Sequence, residues 1–211
     1  MTVLEVVLVV AVLAVMAVVL FMPALGSARV RGPRVQCLEN LREIGLSFQI
    51  WEGDHSDFYP MFTPQTNGGS MEFSAGPGVW RHFQVMSNEL MEPKILLCPA
   101  ETDRARTIAP NFDALKNSNL SFFVGSVSNE LDAEKILAGD RNITNGKEVV
   151  NSSLELTFNQ QIGWNAEMHR SAGNILFGDG SVQQVDSIGL RLAVANPRVQ
   201  TNLVQIPVLS P

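Results

Sequence analysis

The chain has 211 residues, 45% of them hydrophobic and 17% charged, with a net charge of −6. That balance excludes the basic stripe a nucleic-acid binder needs, so no nucleic acid is expected as a partner, and no Walker-type or dinucleotide-binding glycine fingerprint occurs. The hydrophobic excess is concentrated in residues 1–22, and the remainder has the composition of one medium-sized domain with its own core.

The chain opens Met1-Thr2-Val3-Leu4-Glu5, then runs from Val6 through Met22 without a polar residue. This matches the roughly 20 apolar residues with which a helix crosses a bilayer. Residues 1–22 are therefore expected to form a transmembrane or filament-core helix. Glu5 is out of place there. An ionised carboxylate in hydrocarbon costs about 2.5–3.5 kcal/mol and calls for a partner, and the α-amino group of a neighbouring subunit's Met1 would supply one. The alternative is a plain signal anchor whose Glu5 reaches the interface. Pro23, Gly26, Gly32 and Pro33 then mark residues 23–33 as a kinked or extended linker. Arg29, Arg31 and Arg34 follow the apolar run, where the positive-inside rule alone would place them in the cytoplasm.

From Arg34 a helical stripe begins: Cys37, Leu41, Ile44, Phe48 and Trp51 recur at four- and three-residue steps, with Leu38 widening the face and Glu39, Asn40, Arg42 and Glu43 off it. A helix over 34–53, ended at Gly53-Asp54, should lay this stripe on a sheet. Glycine- and proline-rich turns fill 55–90, with a short helix over 79–90. Lys94 to Leu97 reads as a short strand, and 101–119 as a polar excursion. Leu120 to Val127 is β-rich, 131–137 reads as a helical or irregular insertion, Gly139 to Asn142 as a turn or strand entry, and 154–158 as a strand. A hairpin spans 174–185 around Asp179-Gly180. Asp186 is placed to cap a helix reaching Ala195. The tail from Pro197 to Pro211 is expected to lie extended along a surface or sheet edge. Cys37 and Cys98 allow one disulfide beyond a membrane segment, worth about 4 kcal/mol in the chain-entropy model; two buried free thiols are the alternative.

The first five residues resemble the N-terminus of mature type IV pilins and type II secretion pseudopilins position by position: an apolar first residue, Thr2, two aliphatics and Glu5. Cys37-Leu-Glu-Asn-Leu-Arg-Glu-Ile-Gly45, Leu97-Cys-Pro-Ala100, Phe122-Phe-Val-Gly125, Gly139-Asp-Arg-Asn-Ile-Thr144, Thr201-Asn202 and His169 through Val182 resemble segments of a planctomycete and verrucomicrobial G-type pseudopilin-like branch. The chain departs from the commonest form of that last segment at Gly178 and Ser181. The resemblance implies an α+β fold, a long N-terminal helical spine packed on a small antiparallel sheet. It implies a processed chain, methylated at its N-terminus after a prepilin peptidase removes a basic leader. It also implies anchoring in the inner membrane before assembly, pairing of Glu5 with an adjacent subunit's Met1 amine, and a homopolymeric pilus-like or pseudopilus filament outside the cell or in the periplasm. No catalysis follows from it. A minor, non-filamentous pseudopilin and a membrane-anchored periplasmic binding module are the alternatives.

Other constellations are weaker. His169, Ser171, Asp179 and Ser181 lie close in sequence, but no Gly-x-Ser-x-Gly elbow frames either serine. His55, His82 and His169 show no zinc-ligand spacing. Asp140 and Asn142 offer two oxygens in one short loop, far from the six to eight that calcium takes. Calcium is therefore a minor alternative to no cofactor. Asn119, Asn142 and Asn151 head N-x-Ser/Thr triplets and read as surface loops. Trp51, Trp80 and Trp164 read as packing residues.

Overall fold

In the computed structural model, residues 3–157, 160–196 and 202–209 are described. Helix α1 (Val3–Asp54) runs as one element of 52 residues. An extended linker over 23–33 is thus not present, since Pro23, Gly26, Gly32 and Pro33 all lie within the helix. A proline removes one backbone donor and crowds the turn before it, which bends a helix without having to end it. Ala24, Leu25 and Ala28 between the two prolines are strong helix formers that carry the element through.

Within residues 3–16 the described side chains Val3, Val6, Val7, Leu8, Val10, Val12, Leu13 and Met16 are exposed. Among the described residues no helix is long and apolar enough to cross a membrane. The expected span is therefore not recovered there; Met1 and most side chains of 14–31 lie outside the described residues.

The second half of α1 behaves as its periodicity predicts. Cys37, Leu41, Ile44, Phe48 and Trp51 are each at most 1% exposed. Asn40, expected off the stripe, is buried beside it. Gly45 lies under the sheet: a Cβ there would stand 2.7 Å from Leu176 Cδ1, so the missing side chain lets the helix lie close.

The strands are β1 (Phe122–Gly125), β2 (Ile136–Asp140), β3 (Ile143–Thr144), β4 (Ser153–Leu156), β5 (Gly163–Trp164), β6 (Gly173–Phe177), β7 (Val182–Val185) and β8 (Asn202–Gln205). Six of them form an antiparallel sheet in the order β4-β8-β1-β2-β6-β7, and β3 pairs with β5 separately. The mixed α+β class with an antiparallel sheet is as expected. Side chains alternate between the faces. Phe122, Val124 and Leu176 join the core under α1, whereas Phe123, Ile175 and Phe177 join a second core with Leu190 and Val194 of helix α4 (Ser187–Val194). The sheet is thus covered on both sides. The hairpin turns at Gly180 with φ 80°, and Asp186 accepts the Gly189 amide at 2.8 Å to cap α4.

Four further expectations are corrected. The tail is not at an edge: β8 pairs with both β4 and β1. The segment read as a strand at 94–97 is a 3-10 turn, Pro93–Leu96, started by the fixed φ of its first residue. The end of the 131–137 insertion is already strand, because Ile136 and Leu137 open β2. The helix expected over 79–90 is split into α2 (Val79–Gln84) and α3 (Ser87–Leu90).

His82 of α2 ties this side of the domain to β8. It is wholly buried, with Nδ1 2.7 Å from Ser70 Oγ and Nε2 2.6 Å from Gln205 Oε1. Burial pushes its imidazole down to about 4. The unfolded chain, with an ordinary histidine near 6.5, therefore takes up a proton that the folded chain refuses. The stability of the neutral form is complete above the unfolded value and is lost as pH falls from there towards about 4. Between pH 7 and 5 this one group should cost about 2 kcal/mol. Urea midpoints of the wild type should drop over that interval by more than those of His82→Gln by this amount.

Candidate functional site

The groups with chemical potential converge where α1 enters the domain. α1 brings Arg34 and, one turn on, Cys37. The segment after the 93–96 turn brings Cys98, the end of β2 brings Asp140, and the loop before β6 brings His169. Cys37 and Cys98 form a disulfide across 61 residues, with their Cα atoms 5.1 Å apart. His169 Nε2 is 3.4 Å from Cys98 Sγ and 3.3 Å from Asp140 Oδ2. The side chains of His169 and Asp140 are 1% and 0% exposed.

The local chain is built to hold His169 there. His169, Arg170 and Ser171 are three successive non-glycine residues in the left-handed region, at φ 49°, 55° and 62°, a costly backbone that persists only when its surroundings impose it. Asn142 imposes it, since its amide nitrogen donates to the carbonyls of Asn165, Met168 and Ala172 at 3.0, 3.1 and 3.2 Å. Asp140 Oδ2 accepts from the Asn174 backbone and side-chain nitrogens at 2.7 and 2.9 Å, while its Oδ1 has no hydrogen-bond partner. Burial pushes the Asp140 carboxyl up to about 7, against the pull of Asn174 and Arg34. Burial, then the Arg34 charge, pushes His169 down to about 4. Both shifts favour the neutral forms.

Beside these residues lies a buried ion cluster. Arg141 grips Glu101 with two bonds, Nε–Oε2 at 2.8 Å and Nη2–Oε1 at 2.6 Å, and reaches Glu167 at 2.5 Å. Ser121 Oγ donates to Glu101 at 2.8 Å. Arg106 satisfies the carbonyls of Asn117, Leu120 and Pro207, and burial lowers its guanidinium to about 10. Burial opposes the charge on Glu101, but Arg141 and its hydrogen bonds hold that carboxyl below the ordinary value.

The sequence-predicted sites fare differently. Glu5 is exposed near the start of α1. Ser171, Asp179 and Ser181 do not assemble with His169: Asp179 accepts the Ser181 amide at 2.9 Å in the hairpin turn, and among the described residues no hydrogen bond joins His169 to either serine. The three histidines stay apart, His55 stacking on Trp51 at 3.8 Å between centroids. Asp140 and Asn142 are not an open oxygen-rich loop but buried groups at the end of β2 engaged with the chain around them. Asn119 and Asn142 are buried rather than on surface loops, and Asn151 alone of the three triplet asparagines is exposed. Sequence reasoning missed the meeting of the disulfide with His169 and Asp140, because nothing in the spacing of residues 37, 98, 140 and 169 announces it.

No family model, curated protein or solved structure matches the chain.

Two outcomes follow from this geometry. The disulfide-free double variant Cys37→Ser/Cys98→Ser should lose about 4 kcal/mol of unfolding free energy, read as a lower urea midpoint than the oxidised wild type. Glu101→Gln should cost about 3–5 kcal/mol by leaving Arg141 and Arg106 short of a buried counter-charge. Its penalty in a double-mutant cycle with Arg141→Met should be strongly non-additive.

Proposed function

We propose that this chain is a structural subunit that polymerises through its N-terminal helix into a type IV pilus-like or pseudopilus filament. The observation that carries the reading is the division of α1. Its second half is buried in the domain through Cys37, Leu41, Ile44, Phe48 and Trp51, while every described side chain of residues 3–16 is exposed on a segment that is apolar but for Glu5. Covering a Val- or Leu-sized side chain contributes about 1.5–3 kcal/mol, so lipid before assembly and copies of the same helix after it are the natural cover. A head-to-tail contact that does not close gives a helical filament. Glu5 gives that contact its register by pairing with the Met1 amine of the next subunit.

On this reading the subunit is anchored in the inner membrane, is processed and methylated by a prepilin peptidase, and is handed to a pilus or secretion assembly machinery. It ends in an extracellular or periplasmic filament, and it performs no catalysis.

The test is electron cryo-microscopy of material sheared from cells producing the wild type or Glu5→Val. The expected outcome is filaments with an apolar helical core in the wild type, lost or reduced at least about tenfold in the variant, the scale of a missing charge pair. Absence of filaments from both strains, with the protein retained in membranes, would overturn the proposal.

A further inference from the structure

The side-chain cluster at the disulfide has the composition of a metal site held in its oxidised form. Among the described residues, Cys37 Sγ, Cys98 Sγ and His169 Nε2 are the one group of potential ligand atoms that meet, all within 4.8 Å of one another. We propose that when the disulfide is reduced these three atoms bind one Zn²⁺, so that the cation and the disulfide are alternative fastenings of α1 to the domain.

These observations carry it. Two thiolates and an imidazole are a zinc donor set, and Zn–S and Zn–N bonds of about 2.3 and 2.0 Å set tetrahedral ligand atoms roughly 3.3–3.8 Å apart. The Cys98 Sγ to His169 Nε2 distance is 3.4 Å. His169 is positioned by the left-handed turn and by Asn142, independently of the sulfur–sulfur bond. Asp140 is wholly buried, its Oδ2 3.3 Å from the same Nε2 and its Oδ1 without a partner, which offers a tether for a bound water as the fourth ligand. A surface cavity of about 630 Å³, lined by Asn40, Cys98 and Pro99 among others, gives an approach. A dithiol supplies the two electrons and two protons that open the disulfide and itself closes to a cyclic disulfide. The two new thiols then release two protons as Zn²⁺ binds.

The experiment uses the full chain in detergent, reduced with dithiothreitol and freed of it under argon. Zn²⁺ is titrated against a chromophoric chelator, and Co²⁺ serves as a spectroscopic probe. The reduced wild type should bind one equivalent and the oxidised protein none. Co²⁺ should show a sulfur charge-transfer band and the intense visible bands of a tetrahedral site. His169→Gln should weaken binding at least about tenfold and alter the visible bands, and Asp140→Asn should weaken it about 10–100-fold. Circular dichroism of the oxidised variants establishes that they fold. If reduction alone unfolds the chain, Zn²⁺ should restore the fold of the wild type and not of His169→Gln. Equal affinity of the reduced wild type and His169→Gln would mean binding by loose thiols and would overturn the proposal. So would equal binding by oxidised and reduced protein, or failure of Zn²⁺ to bind or restore the reduced wild type.

Discussion

Helix α1 meets the sheet through one stripe, and the rest of the domain is arranged around that contact. Leu41, Ile44, Phe48 and Trp51 are all but completely withdrawn from water, each contributing about 1.5–3 kcal/mol or more against exposure. Gly45 removes the one side chain that would hold helix and sheet apart at Leu176. Tyr59 packs edge-on against Phe48 with ring centroids 5.5 Å apart and donates its hydroxyl to the Gly178 carbonyl at 2.9 Å. The chain leaving the helix is thereby tied back to the hairpin across the core.

The polar end of this seat is organised differently from its apolar middle. Around Cys37 and Cys98 the domain buries Glu101, Arg106, Asp140, Arg141 and Asn142. Buried ion pairs contribute little net stability, because desolvation offsets most of their attraction. What they impose is geometry: Arg141 can satisfy Glu101 and Glu167 together only with β2, the 101–106 segment and the 165–168 loop in one arrangement. Asn142 fixes the same loop from beneath. The covalent bridge and the polar network therefore constrain the same junction by independent means.

Much of this was legible in the sequence where a local rule had no competitor. The period of the stripe, the Asp179-Gly180 turn, the Asp186 cap and the Cys37–Cys98 pairing each rest on a few neighbouring residues or on there being only two cysteines. The failures share a cause. Pro23 and Pro33 argue locally for a break, yet the residues between them favour helix and the element continues. The proline-bearing tail argues for an edge, yet proline falls outside Asn202–Gln205, and the strand itself is free to pair on both sides. His169 and Asp140 reach the disulfide only through the sheet order, which places β2 beside β6. No window of sequence contains that information.

The division of α1 has a mechanical consequence for the proposed assembly. Among the described residues, the buried apolar side chains that seat the helix on the domain begin at Cys37, and none lies in residues 3–16. Covering the first half cannot strengthen the domain's own core, and the domain's core cannot cover the first half. The two burials are separate and must be met by different partners. Lipid satisfies the aliphatic side chains as well as a neighbouring helix does, and so offers no reason to leave it. A carboxylate at position 5 breaks that tie, because hydrocarbon penalises it while a neighbour's amine rewards it. In the proposed assembly, a single charged residue would thus give an otherwise indifferent apolar helix a preference for its own kind.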